Sequence, residues 1–362
     1  MKKTLFAVLA LAAVAACNKA EVVEQNPANA IAFDNAFVDN ATKSVNDPSF
    51  TNDKMFTDFA VYGFVEGAVL FDGTTVTGTP AAKPTTWDYT GTQYWIAGAY
   101  YNFAAVAPMT NGGWTKTSCA ATASDSPTTN PRTINTSLSF TNNGTTDLLY
   151  AEHQQVQGQA QGNEKVDFTF RHILSKVKFS FENGYNASNA TIKVKDIKIT
   201  NAYTTGNVAL TGSTTTWSDH ATSSLELAFG MATDNEATTD VAENVEVAYD
   251  FGKTYESQNE LFLIPGAVPT NTVEVTDENG TTTKTVLGYK VTFKVALLVS
   301  DTLIDEYDHE VYVNFTPAPA TCYDIKATIT ASNIDPEHDQ EPIEFTVNAL
   351  PDWGTATPVP AQ

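Results

Sequence analysis

Residues 166–181 read VDFTFRHILSKVKFSF and contain two short runs of alternating apolar and polar side chains, 166–170 and 176–181. Alternation with a period of two residues is typical of a β-strand that buries one face. The four residues from His172 to Ser175 interrupt the alternation and predict a turn that crosses the edge of a sheet. The stretch therefore predicts two strands joined by a short turn, with the imidazole ring of His172 hydrogen-bonded in the turn.

The same alternation recurs along most of the chain. Ile31, Phe33 and Phe37 share one face of an early segment, and the segment 192–199 loses its alternation at Asp196, as it would at a β-bulge. Further strands are predicted at 322–330 and 343–347, and residues 273–293 predict a hairpin whose loop begins in the turn-forming sequence DENG at 277–280. Helical periodicity is almost absent and no βαβ rhythm appears, so the sequence predicts an all-β fold of antiparallel sandwiches.

The longest turn-rich and weakly apolar stretch lies between residues 201 and 224. A chain of 362 residues is long enough for two domains of ordinary size. We therefore place a domain boundary near residue 210, which predicts an N-terminal sandwich at 31–210 and a C-terminal sandwich with a tail at 211–362.

The N-terminus, MKKTLFAVLALAAVAAC, has a basic pair followed by an apolar run that ends at Cys17. Because about 20 apolar residues are needed to span a bilayer as a helix, this run predicts a secretory signal. Its end, Val14 to Cys17, resembles the lipobox of bacterial lipoproteins, although an ordinary signal with a chance cysteine is the alternative. The resemblance implies cleavage between Ala16 and Cys17, removal of residues 1–16, acylation of Cys17, and a flexible polar tether at 17–30.

The charge of the chain excludes one class of partner, and its cysteine content bears on whether it contains a disulfide. The formal charge is −22, and it becomes −24 once Lys2 and Lys3 leave with the signal. Such an acidic surface argues against nucleic acid as a partner. Besides Cys17 the chain has only Cys119 and Cys322, which we predict to be two separate thiols rather than a disulfide.

Residues that could carry catalysis or bind a metal are better explained as parts of turns and solvated loops. His172 has no Asp, Cys or second His near it at metal-ligand spacing. The acidic run DPEHDQE at 335–341 lacks the glycine and terminal glutamate of a calcium loop, so a solvated loop is the favoured interpretation. No short motif of a nucleophilic or phosphate-binding site is present. The sequence therefore predicts a protein that is not an enzyme, with no cofactor and no metal.

The aromatic segment at 87–103 admits two interpretations. Its rings could form a platform on which sugars stack, or they could form the core of the first sandwich. The core is favoured because the aromatic residues lie within apolar sequence; they are Trp87, Tyr89, Tyr94, Trp95, Tyr100, Tyr101 and Phe103.

Several segments together resemble the fimbrillin family of lipoprotein pilins. In chain order they are IAFDNAFVDNATKS from residue 31, WDYTGTQYWIAGAYYNFAAVAP from 87, DLLYAE from 147, VDFTFRHILSKVKFSF from 166, ELFLIPG from 260 and EFTVNALPDW from 344. The resemblance implies two transthyretin-like β-sandwich domains, a lipid anchor in the outer membrane, and assembly with other pilus subunits by exchange of a donor strand at the cell surface.

The chain departs from the family pattern at the maturation site. Polymerising members are cut after an arginine that follows the first strand, but here the first arginine is Arg132. Lys43, followed by Ser44, occupies the matching place. The resemblance therefore implies either cleavage between Lys43 and Ser44 or a subunit that stays uncut and anchored.

The last alternating segment is the predicted donor strand. Ile343, Phe345, Val347 and Ala349 alternate with polar residues, and a terminal strand can leave its sheet without moving other elements. We therefore predict a fimbrial subunit or surface adhesin, with host or bacterial surface ligands as candidate further partners. The alternative is a monomeric surface lipoprotein that binds glycans for nutrient uptake.

Overall fold

The computed structural model describes residues 29–38, 56–79, 86–159, 162–163, 165–187, 190–230, 247–249, 252, 254–257, 259, 261–277, 280–334 and 341–350. Strands make up most of these residues, and the single α-helix among them has four residues. The predicted all-β fold is confirmed. Within these ranges, no helix is long and apolar enough to cross a membrane.

Twenty-one strands and one short helix follow one another along the described chain. In order they are β1 (Phe33–Val38), β2 (Asp58–Val65), β3 (Ala68–Thr79), β4 (Thr86–Asp88), β5 (Tyr100–Ala107), β6 (Trp114–Ala121), β7 (Ile134–Thr141), β8 (Leu149–Gln157), β9 (Val166–His172), β10 (Ser175–Asn183), β11 (Ala190–Thr211), β12 (Thr214–Phe229), β13 (Val247–Tyr249), β14 (Thr254–Glu256), β15 (Leu261–Leu263), β16 (Thr270–Asp277), β17 (Gly280–Leu287), β18 (Tyr289–Val299), β19 (Thr302–Val313), β20 (Thr321–Ile329), α1 (Ala331–Ile334) and β21 (Phe345–Leu350).

The N-terminal strands close into a barrel in the order β1-β4-β3-β2-β5-β8-β9. Its interior is filled by aromatic and aliphatic side chains, which are buried because strands that surround a small barrel direct alternate residues inward. Large members of this core are Phe33, Phe59, Phe103, Phe168 and Phe170, each at most 2% exposed. The N-terminal part differs from an open sandwich because this sheet closes on itself.

A second sheet joins strands from both halves of the chain around β11. The first half of β11 pairs with β18 and its second half pairs with β7, in the order β19-β18-β11-β7-β6, while β12 and β13 pair with the opposite edge of β11. The prediction of a turn-rich stretch at 201–224 is wrong, because threonine and glycine residues there extend β11 and β12 as paired strands. The division near residue 210 stays a prediction.

The second sheet packs against a third one. The third sheet has the order β14-β10-β20-β21, and β15 also pairs with β10. Apolar residues from both sheets meet in one core, including Phe179 and Phe181 of β10 and Phe293 of β18. The second half of the β11 sheet covers the outer face of the barrel in the same way, with Leu138, Phe140, Val208 and Leu210 in that contact.

Local features of the sequence appear where they were predicted. The chain leaves the barrel at the end of β9 and enters the third sheet at the start of β10, and the connecting residues Ile173 and Leu174 are fully buried. A register shift between β11 and β18 lies beside Asp196, whose φ of 55° is that of a bulge. β16 and β17 form the predicted hairpin with Asp277 opposite Gly280, although the following strand, β18, belongs to another sheet.

The two cysteines of the described chain are not bonded to each other, as predicted. Cys119 is half-buried on β6 and Cys322 is buried on β20. Burial raises the pKa of the Cys119 thiol to about 11. A thiol that holds its proton at neutral pH is a poor nucleophile and a poor metal ligand, so Cys119 has a packing role.

Candidate functional site: the first and last strands

The first strand completes the barrel by joining two strands that are distant in sequence. β1 pairs in parallel with β9, from Phe33 opposite Val166 to Val38 opposite Phe170. On its other side β1 pairs with β4, with Phe33 opposite Trp87. Without β1, the edges of β4 and β9 would therefore face each other across an open slot.

Phe33 anchors this strand in the barrel core. Its side chain is 2% exposed, and it lies within 6.3 Å, centroid to centroid, of five other aromatic rings. Most of these contacts are edge-to-face, an arrangement that adds to the free energy of burial. The five rings belong to Phe59, Phe71, Tyr89, Phe103 and Phe168.

Backbone hydrogen bonds fix the segment that leads into β1. The Ile31 amide donates to the Gln93 carbonyl over 2.8 Å, and the Tyr89 hydroxyl donates to the Ile31 carbonyl over 2.7 Å. The Val166 amide donates to the Ala32 carbonyl over 2.7 Å. Departure of this segment would leave these donors and acceptors of the barrel without partners, a state that is unfavourable away from water.

The aromatic segment serves the core rather than a surface platform. Trp87, Trp95, Tyr101 and Phe103 are all buried, with exposed fractions from 0 to 7%. The Tyr101 hydroxyl accepts a hydrogen bond from the Ile96 amide over 2.6 Å. The core interpretation is confirmed for these four rings, so they offer no stacking surface for a sugar.

The last strand, β21, has a single neighbour among the described residues and lies at the edge of the third sheet as they define it. It pairs antiparallel with β20, from Ala327 opposite Phe345 to Cys322 opposite Leu350. The half-buried Phe345 ring lies 6.1 Å from Phe179, 5.8 Å from Phe181 and 5.7 Å from Phe293.

The inward face of this final segment matches the predicted alternation over most of its length. Ile343 is buried, Val347 packs at the margin of the core, and the intervening Thr346 is exposed. Ala349 was predicted on the same inward face, but it is exposed because the core ends before that position.

Several predicted site residues fall outside the described ranges. These are Ala16 and Cys17 at the lipobox, Lys43 and Ser44 at the maturation site, and residues 335–340 of the acidic run.

His172 is described: its Nδ1 is hydrogen-bonded to the Asp147 carboxylate, and its side chain is buried at the end of β9. The predicted hydrogen bond of this ring is confirmed, but His172 is the last residue of β9 and Ser175 the first of β10, so the predicted turn is limited to residues 173–174. Among the described residues, no three His, Cys, Asp or Glu side chains gather as a metal site.

A polar network that the sequence did not single out fixes the β11–β12 turn to the barrel. The Gly212 amide and the Tyr150 hydroxyl both donate to Glu152 Oε1, over 2.9 and 2.6 Å. Arg171 donates to the Gly212 carbonyl over 3.0 Å, and its guanidinium stacks over the Tyr150 ring. Burial lowers the pKa of Arg171 and raises that of Tyr150. Only the fold brings these residues together, so no local pattern could have identified them.

One protein family matches this chain over most of its length. A family model described as fimbrillin-like matches residues 41–348. No curated protein sequence matches the chain significantly.

The chain is also similar to solved structures of bacterial proteins. A candidate cell adhesion protein from Bacteroides uniformis is 14% identical, with a TM-score of 0.41 over 90% of this chain and 97% of that one. Another from Parabacteroides distasonis is 10% identical, with a TM-score of 0.42 over 92% and 99%. The fimbrial anchor protein Mfa2 from Porphyromonas gingivalis is 11% identical, with a TM-score of 0.28 over 88% and 96%.

Proposed function

The chain belongs to the fimbrillin-like family, and we propose that it is a fimbrial subunit or surface adhesin, exported as an outer-membrane lipoprotein and assembled by donor-strand exchange. In this proposal Cys17 carries the acyl chains, other pilus subunits are the partners, and no catalytic step or cofactor is involved. The observation that carries the proposal is the position of β1, which closes the barrel a few residues before Lys43.

Removal of β1 would create an acceptor for a strand from another subunit. The slot between β4 and β9 would expose the aromatic core around the position of Phe33 together with unpaired backbone groups on both edges. An incoming strand with alternating apolar residues satisfies both needs at once, because its backbone pairs with the edges while its side chains fill the core. Each apolar side chain buried in this way contributes about 1.5–3 kcal/mol.

β21 has the properties of a strand that can be donated. Within the part of the chain that the structure describes, it pairs with one strand, so its departure breaks one ladder there, and no charged residue lies between Phe345 and Leu350. Edge strands that stay in place are usually protected by charge. β19, at the edge of the second sheet, follows that rule with Asp305, Glu306, Asp308 and Glu310. The contrast supports Ile343, Phe345 and Val347 as the apolar residues of the donor.

The alternative, a monomeric glycan receptor for nutrient uptake, receives less support. It requires exposed aromatic rings on which sugars stack, and Trp87, Trp95, Tyr101 and Phe103 are buried. A monomer would also keep β1 in its barrel permanently.

Gel electrophoresis of unboiled cell-surface protein tests the proposal against this alternative. Subunits joined by strand exchange are expected to run as a ladder that boiling converts to one band, since the contacts are numerous but not covalent. A single monomer band in unboiled samples, from cells shown to display the protein, would contradict assembly and favour the alternative.

Replacement of Cys17 tests the lipid anchor. We expect Cys17→Ala to abolish incorporation of labelled palmitate and to leave the signal uncut or the protein released, because the thiol is the acceptor of the lipid. Cys119→Ala serves as the control and should be labelled like the wild type, since Cys119 lies on β6 of the folded chain. Palmitate incorporation into the Cys17 variant would overturn this prediction.

Sequencing of the mature N-terminus tests maturation at Lys43. We expect surface protein to begin at Ser44, so that the segment containing β1 has been removed. Lys43→Gln should then retain the longer chain and reduce the ladder, whereas Lys54→Gln should change neither. Surface material that begins at Cys17 would instead indicate an uncut anchor or a monomer.

A further inference from the structure

A concave polar surface lies on the outward face of the third sheet, beside the last strand. The cavity has a volume of about 850 Å³, and we call it the polar shelf. Its floor consists of the outward side chains of two paired strands, since Lys326 lies opposite Thr346 in the β20–β21 register. Glu344, just before β21, and Thr346 and Asn348 of β21 are exposed on this face, while Phe345 and Val347 pack against the core.

One side of the shelf is formed by residues 330–333 and 341–342, and the buried side chain of Asn333 holds these two segments together. The Asn333 side chain is 5% exposed, accepts a hydrogen bond from the Thr330 amide over 2.8 Å, and donates one to the Glu341 carbonyl over 3.1 Å. The Glu341 amide donates to the Ser332 carbonyl over 2.9 Å. Polar groups that are fixed before a ligand arrives bind it with a smaller loss of conformational entropy.

The groups that face the shelf are hydroxyls, amides and carboxylates. Lys326 forms an ion pair with Glu182 over 2.9 Å, so its charge is already neutralised within the shelf. Glu341 and Glu344 are both exposed at the rim and have no such basic partner among the described residues. The lining therefore offers many hydrogen-bond acceptors and donors, together with a negative potential.

We propose that the polar shelf binds a neutral oligosaccharide in a subunit that keeps β21 paired with β20, as a subunit that has not donated its last strand does. A ligand of this class presents many hydroxyl groups, which carboxylate and amide side chains can bind by paired hydrogen bonds. The volume is within the range of small-molecule sites. Apolar ligands do not fit the polar lining, and the carboxylates together with the formal charge of −22 oppose sialylated or sulfated glycans.

The proposal is tested by binding of named sugars to the soluble chain that begins at residue 18. The probes are an array of linear hexasaccharides of glucose, galactose, mannose, xylose and N-acetylglucosamine, with a sialylated oligosaccharide as the acidic probe. We expect at least one neutral probe to bind and the acidic probe not to bind. Binding is measured on the monomer, so failure of pilus assembly would leave this result unaffected.

A matched pair of variants assigns the binding to the shelf. Glu344→Gln combined with Thr346→Val removes a charge and a hydroxyl from exposed positions and should weaken binding at least about tenfold, the loss expected from one or two charge-assisted hydrogen bonds. Glu274→Gln combined with Thr283→Val makes the same changes at paired, exposed positions of the β16–β17 hairpin and should leave affinity unchanged.

Two results would overturn the proposal. One is the absence of binding to every neutral probe by a chain whose circular dichroism shows it to be folded. The other is binding that the shelf variant and the hairpin variant reduce to the same extent.

Discussion

Replacing Phe33 by alanine is expected to lower the free energy of unfolding by about 3–5 kcal/mol, the range observed for fully buried phenylalanines. The ring is 2% exposed and lies among five aromatic neighbours. Removing it leaves a cavity that the surrounding strands of a closed barrel can reduce only partly. The effect should appear in chemical denaturation followed by tryptophan fluorescence, because Trp87 and Trp95 are buried in the same barrel.

The control for this variant is a large apolar residue that the core does not use. Ile96 is 59% exposed, so Ile96→Ala should change the free energy of unfolding by less than about 0.5 kcal/mol. A loss below about 1 kcal/mol for Phe33→Ala would mean that β1 is peripheral to the barrel. In that case its removal would leave no acceptor slot, and the proposed assembly would lose its main support.

The second large effect is expected from a covalent lock on β21. Cys322 of β20 lies directly opposite Leu350 of β21, so Leu350→Cys alone places two thiols on neighbouring strands. Directly opposed residues of antiparallel strands have Cα separations of about 4.5–5.5 Å, within the range that disulfides bridge. Under oxidising conditions we expect the ladder of assembled subunits to be lost, because the tethered strand cannot leave its own sheet.

Reduction of the same protein is its internal control and should restore the ladder. A second control joins strands that the proposal leaves in place: Thr272→Cys with Thr285→Cys links the paired strands of the β16–β17 hairpin and should not affect assembly. A full ladder from oxidised protein, with the disulfide verified by mass, would exclude β21 as the donor. A charge placed on this strand, as in Phe345→Asp, would not separate donation from folding, because the Phe345 ring also packs against Phe179, Phe181 and Phe293 of its own subunit.

Much of the local structure follows from the sequence pattern. The alternation in 166–181 predicted β9 and β10 and the turn between them, and Asp196 marked the bulge in β11. The aromatic residues between Trp87 and Phe103 are assigned to the core because they lie within apolar sequence. These features are encoded by the type and spacing of consecutive residues, so a window of a few residues is enough to predict them.

The prediction at 201–224 shows where composition misleads. Threonine, glycine and asparagine are frequent in turns, but threonine is β-branched and also fits a strand that has partners. Here β11 obtains partners on both edges, since Val208 pairs with Leu138 of β7 and with Trp217 of β12. The tertiary pairing outweighs the weak local preference.

The sequence by itself determined the all-β class, the strand alternation and the residues that can fill a core. Only the tertiary structure decided that β1 closes a barrel, that β20 is the one neighbour of β21 among the residues described, and that the polar shelf forms beside β21. Lys165 and Asp34 form an ion pair although they are 131 positions apart in the sequence. The pairing of β1 with β9 therefore joins segments that are distant in the chain. Which strand pairs with which depends on the combined burial and backbone hydrogen bonding of the whole sheet, and no single segment contains that information.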